Sequence, residues 1–196
     1  MSAVTTRKLL AAARQMFREV GYAATSMDEL CATVGLTRGA LYHHFGGKPG
    51  LLEAVVVEIF DEMGQRLVRD FAEEPDPWRG LVAGCQRYLH LAIEPDLQRI
   101  VFQEAPAVLG QRLRDIDARF VAPLQDVLEG LMNDGRLRKA PVDPLARILM
   151  GAMMELALWV ATQPDGPRAL SCALASLDVV LNGLTTDLDR AASEHS

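Results

Sequence analysis

Apolar residues recur at i, i+3, i+4 and i+7 along almost the whole chain, and alternating β-branched patterns are missing. That spacing predicts helix after helix and no strand. A first helix is expected from Thr5 to Val20, burying Leu9, Leu10, Ala13, Met16 and Phe17, with Arg7, Arg14 and Arg18 on other faces and Gly21 ending it. Thr25 or Ser26 caps a short second helix that ends near Val34, with Asp28 and Glu29 in its first turn, where the helix dipole favours anions. Gly35 makes the next turn, Thr37 caps a third helix to Phe45, and Gly46 and Gly47 stop it. A long helix follows from about Pro49 to Phe71, with proline acceptable in its first turn.

The pattern breaks at Glu73 to Pro77, the best hinge candidate. Further helices are expected over Trp78–Ile93, Asp96–Glu104, Gln111–Asn133, Asp143–Thr162 and Pro167–Leu188, with proline or glycine at each junction. Pro123 should kink or divide the Gln111–Asn133 stretch. The polar tail from Ala191 is expected to fray. The prediction is an all-α chain of about nine helices.

Composition narrows the class. At 196 residues and 49% hydrophobic, the chain has the ordinary globular balance and can bury a core without staples. Cys31, Cys85 and Cys172 are scattered and odd in number, which argues for a reducing compartment. Arg14 cuts the apolar stretch Leu9–Ala13 too short for a secretory leader. Glu155 interrupts Gly151–Ala161, which falls short of the roughly 20 residues that span a bilayer. A cytoplasmic protein without membrane contact is expected. The formal charge of −6 averages a head of +3 over residues 1–50 with a body of −9. Such asymmetry hints at nucleic acid, although +3 alone is within chance.

Residues 25–48, TSMDELCATVGLTRGALYHHFGGK, carry the chemistry. Two short helices meet at Gly35, where a sharp turn needs a residue tolerant of positive φ. Leu30 and Val34 must pack on Leu36 and Leu41, and small Cys31 permits close approach. This is a helix-turn-helix arrangement, which presents its second helix to the major groove. Arg38, Gly39, Tyr42 and His43 then face outward, where they suit phosphate and base-edge contacts. Tyr42 could instead pack its ring on the preceding helix, and His44 and Phe45 read as packing residues. The His43–His44 pair lacks the nearby Cys, Asp or Glu that would complete a metal site.

Here the sequence resembles the TetR family of bacterial transcriptional regulators. The resemblance rests on Phe17-x-x-x-Gly21-Tyr22-x-x-Thr25-Ser26, then Val34-Gly35-Leu36-Thr37-x-Gly39-x-Leu41-Tyr42-x-His44-Phe45, then Lys48 and Leu51-Leu52, and covers roughly residues 5–60. Pro49-Gly50 departs from the helix-favouring polar residues usual there. The resemblance implies that Thr25 and Ser26 bond a phosphate and that Thr37 caps the recognition helix while touching the DNA backbone. Tyr42 and Lys48 would contact phosphates; Arg38, Gly39 and His43 would approach bases, with Arg38 best suited to guanine. It also implies a helix-turn-helix DNA-binding domain over 1–48 and a C-terminal domain over 49–196 that dimerises and encloses a small-molecule pocket.

The residues agree in part. Asp143–Thr162 and Pro167–Leu188 each carry more apolar surface than one face can hold, so paired with their copies they would form a two-fold four-helix interface; both could instead be core helices of a monomer. Met63, Trp78, Tyr88, Phe102, Phe120, Met154 and Trp159 are candidates to line a pocket, with Gln103, Arg119 or Glu155 orienting a mainly hydrophobic effector. Glu155 is expected to be a buried carboxylate needing a partner. No nucleotide-binding, hydrolase or zinc-protease motif is present, so neither an enzyme nor a cofactor is expected. The reading is a ligand-released repressor on a palindromic operator. The alternative is a ligand-independent DNA-binding structural or division-control protein of the same fold.

Overall fold

The computed structural model describes residues 2–186. They are helical almost throughout, and the described residues hold one isolated antiparallel bridge, Leu137 to Thr185. The first four helices are α1 (Ala3–Val20), α2 (Met27–Val34), α3 (Arg38–Phe45) and α4 (Lys48–Glu73). Then come α5 (Pro77–His90), a 3₁₀ turn (Leu91–Ile93), a π-helix (Leu97–Glu104), α6 (Ala105–Leu109) and α7 (Gln111–Asp117). After a second 3₁₀ turn (Ala118–Phe120) the chain forms α8 (Val121–Asn133), α9 (Val142–Thr162) and α10 (Gly166–Leu184). The last helix, α10, ends at Leu184; its expected end at Leu188 and the expected frayed tail lie outside the described residues.

By packing, the chain divides into two compact units, and the division does not follow the hinge at 73–77. One unit gathers residues 2–62 and 94–116, the other 63–93 and 117–186 among those described. The forecast 1–48 head is therefore part of a larger body. Segment 94–116 joins it through charge: Arg14 on α1 pairs with Glu62 and Asp96, both at 2.8 Å, and Arg18 reaches Asp96 at 3.3 Å.

Two local outcomes differ from expectation for clear reasons. The 111–133 stretch breaks at Ala118–Phe120, before Pro123, which sits in the first turn of α8 where its missing N–H has no partner to lose. The segment forecast as Asp96–Glu104 α-helix is wound as a π-helix, with the Ala105 N–H reaching the Ile100 carbonyl five residues back. The wider winding suits Pro106, whose ring crowds the carbonyl four residues before it in an α-helix. Pro49-Gly50 has its own explanation. A Cβ on Gly50 would stand 1.7 Å from the Phe45 carbonyl oxygen, so glycine lets the first turn of α4 lie against the end of α3.

In the second unit, α9 is long and apolar enough to cross a membrane by length and composition alone. Its apolar residues are split between a buried face (Ala146, Leu149, Met153, Ala157, Val160) and an outward one that includes Ile148 and Trp159.

Candidate nucleic-acid interface

The recognition segment is built by local rules. Ser26 is the cap of α2: its hydroxyl accepts from the Glu29 N–H at 3.3 Å. Gly35 ends α2 at φ 70°, in the left-handed region, and the Leu36 N–H closes the turn on the Cys31 carbonyl at 2.9 Å. Nothing lies within 4 Å of where a Gly35 Cβ would sit, so backbone conformation alone asks for glycine. Thr37 caps α3, accepting from the Ala40 N–H at 3.2 Å. Leu30, Cys31 and Leu41 are buried between the helices, while Val34 and Leu36 are half-buried at the rim. Burial and the nearby Asp28 charge push the Cys31 thiol up, which keeps it an inert packing group.

That packing turns one face of α3 out. Arg38, Gly39, Tyr42, His43 and also His44 are exposed, so His44 is not the packing residue expected; Phe45 is half-buried. Tyr42 is 48% exposed and its ring lies over Gly47, where a Cβ would come within 3.1 Å of it. Arg38 Nε pairs with Asp28 Oδ1 at 3.2 Å, an exposed pair of the kind that contributes little and exchanges readily. A Cβ on Gly39 would meet nothing within 4 Å, so the protein's own packing does not require glycine there.

Two expected contacts need restating. Thr25 is only 4% exposed and its hydroxyl donates to the Gly21 carbonyl at 2.7 Å. Its side chain faces inward to hold the α1–α2 turn, which corrects the phosphate role expected for it. Lys48 is half-buried: Nζ donates to the Ala23 carbonyl at 3.0 Å and stands 4.8 Å from the centre of the Tyr22 ring. Burial lowers its pKa, and the Glu104 charge partly offsets that. An ammonium has three N–H groups, so Lys48 can donate to a phosphate while keeping the Ala23 bond.

The residues expected around an effector are divided between the two units. Met63, Trp78, Tyr88 and Met154 are buried in the second unit, and the half-buried Phe120 ring fills the space beside Gly64. Phe102 is buried too, but in the first unit, where Gln103 is exposed. Arg119 is exposed. Glu155 and Trp159 are corrections: both lie on the outward face of α9, so Glu155 is no buried carboxylate. The periodicity of an all-apolar helix does not say which of its faces is covered.

Among the described residues the buried carboxylate is Asp117. Its Oδ1 accepts the Tyr88 hydroxyl at 3.1 Å, and that hydroxyl also approaches Met154 Sδ at 3.8 Å. Burial raises the Asp117 pKa to about 6, against the lowering effect of the Tyr88 bond, and the same burial pushes the Tyr88 phenol well up. The signal was present in the sequence: Leu113, Ile116 and Asp117 share one helical stripe. A cleft of about 400 Å³ opens between α5 and α10, lined by Trp78, Val82, Gln86, Asp178, Leu181 and Asn182 among others; of the forecast pocket residues only Trp78 borders it.

Each of the two final helices also leaves large apolar side chains exposed on its outward face. On α9, Ile148 is 64% exposed and Trp159 42%, in line with Gly151 and Glu155. On α10, Val179 is 73% exposed, in line with exposed Cys172, Ser176 and Gly183.

The profile described as bacterial regulatory proteins, tetR family, matches residues 9–55, and that of the tetracyclin repressor-like C-terminal domain matches 78–184. The crystal structure of a TetR-family transcriptional regulator from Pectobacterium atrosepticum superposes with a TM-score of 0.88 at 41% identity, covering 95% of this chain and 99% of that one. The Transposon Tn10 TetC protein of Escherichia coli is 28% identical over 156 residues, 79% of each chain. The nucleoid occlusion factor SlmA of Vibrio cholerae is 26% identical over 147 residues, 74% of this chain and 75% of its own.

Proposed function

This chain belongs to the TetR family of DNA-binding transcriptional regulators, which are not enzymes, and on that premise we propose that it is a dimeric, ligand-released repressor of a palindromic operator. The observation that carries the DNA reading is the outward face of α3, with Arg38, Tyr42 and His43 exposed beside a Gly39 that the fold does not need. Glycine inside a helix costs about 1 kcal/mol relative to alanine, so a bare backbone at that point suits close approach of a base pair. Arg38 would leave Asp28 for guanine O6 and N7, while Ser26, Thr37, Tyr42 and Lys48 would anchor phosphates.

Dimerisation would use the outward stripes of α9 and α10, with a second copy as the occupant. Ile148 and Trp159 on α9 and Val179 on α10 are large apolar side chains left exposed, and a two-fold pairing would bury both faces at once, with the small residues between them allowing close approach. The effector would be small and mainly hydrophobic, enclosed in the apolar interior of the second unit, where Tyr88 and Asp117 offer one polar handle. Such a protein acts in the cytoplasm, where its operator is, with no membrane partner.

The test is competition among single-base variants of a bound duplex. Arg38→Ala should lose about 1–3 kcal/mol of discrimination at one base-pair position per half-site, with other positions unchanged. An unaltered preference profile would remove Arg38 from the base contacts. The similarity to a nucleoid occlusion factor supports a second reading, a ligand-independent protein of chromosome organisation. Bound sites scattered around the chromosome, rather than at one or two promoters, would favour it.

A further inference from the structure

The turn between α1 and α2 is held by a residue far outside the helix-turn-helix. Glu104, at the end of the π-helix, accepts the Tyr22 backbone N–H on Oε2 at 2.7 Å. Its Oε1 stands 3.7 Å from Arg99 Nε, and Arg99 reaches the Glu19 carbonyl at 3.4 Å. The seat is close-fitting: a Cβ on Gly21 would lie 2.6 Å from Glu104 Oε1 and 2.8 Å from an Arg99 guanidinium nitrogen. Gly21 is also at φ 86°, so the turn and the carboxylate share one bare backbone position.

The same turn carries the Ala23 carbonyl and the Tyr22 ring that Lys48 lies against, and the Glu104 charge itself favours the Lys48 ammonium. From this geometry we infer that Glu104 is a positioning residue for DNA binding, acting through Tyr22 and Ala23 to hold the Lys48 ammonium where a phosphate can take it. A carboxylate accepting a backbone N–H makes a strong charge-assisted bond. The π-helix sets how far Glu104 reaches, so any change in its winding would reach Lys48 without altering α3. The inference rests on the DNA reading above and names a residue that the helix-turn-helix does not contain.

The experiment is titration of the full-length protein onto a selected duplex at several salt concentrations, with melting curves for every variant. Glu104→Ala should weaken binding about five- to tenfold and flatten the salt slope by about one phosphate contact. Lys48→Ala should do the same, and the double variant should be no more than about twofold weaker than Lys48→Ala, because both act on one contact. Glu104→Gln, which keeps an acceptor for the Tyr22 N–H, should stay within about twofold of the parent. If Glu104→Ala does not fold, Glu104→Asp, one methylene shorter at the same charge, should show the same flattened slope. An unchanged slope in a folded Glu104 variant, or a Glu104→Ala loss that multiplies fully with that of Lys48→Ala, would overturn the inference. A parent protein that shows no salt-dependent duplex binding would instead overturn the DNA reading beneath it.

Discussion

Val179→Asp should convert the protein to a monomer at micromolar concentration and weaken operator binding by about two orders of magnitude or more. The side chain is 73% exposed, so a carboxylate there remains hydrated in the isolated chain and its fold should melt as before. In a two-fold pairing of α10 with its copy, the same carboxylate would be desolvated opposite its equivalent, and neither would have a counter-charge. Losing the second head removes the avidity of two linked half-sites, worth roughly 10²–10⁴ in affinity. Val68, 64% exposed on α4, lies off the stripe and supplies the control: Val68→Asp should remain dimeric. Sedimentation of the two variants decides the matter, and a dimeric Val179→Asp protein would place the interface elsewhere.

The second large effect is a pH dependence located in one side chain. Asp117 has its pKa raised from 3.8 to about 6 in the folded protein, by burial first. A carboxyl raised in the fold holds its proton more tightly there than in the unfolded chain. Its contribution is therefore fully present below about pH 4, is lost as pH rises through about 6, and is gone near pH 7. At 1.36 kcal/mol per unit, the two-unit rise corresponds to about 3 kcal/mol. Tyr88 stays protonated throughout and keeps donating to Asp117. Denaturant unfolding of the parent and Asp117→Asn at a series of pH values isolates the effect, because other carboxylates cancel in the difference. The parent should lose about 2–3 kcal/mol relative to the variant between pH 4 and pH 7. A flat difference would mean that Asp117 is hydrated.

How legible each feature was in the sequence followed the range of the interaction behind it. Gly35, Thr37 and the cap at Ser26 or Thr25 are local: each depends on its own φ or on an N–H three residues away, so pattern alone located the recognition helix. The choice between Thr25 and Ser26 is equally local but depends on side-chain direction: Ser26 accepts the Glu29 N–H, while Thr25 turns back to donate to the Gly21 carbonyl. Glu155 was misplaced because periodicity identifies an apolar helix but not which face another element covers. The Glu104–Tyr22 bond, between residues 82 apart, left no pattern at all. Gly50 departs from the helix-favouring residues usual in that turn because the Phe45 carbonyl beside it leaves no room for a side chain, a contact that sequence spacing does not show.

Selection of duplexes from a random-sequence pool at physiological salt tests the central proposal most directly, because it asks whether two copies of α3 read grooves together. Two recognition helices on a two-fold dimer should enrich an inverted repeat whose half-site centres lie about 34–36 Å apart, or a multiple of that helical turn. A pool that shows no enrichment, or one that converges on a lone unrepeated site, would contradict it.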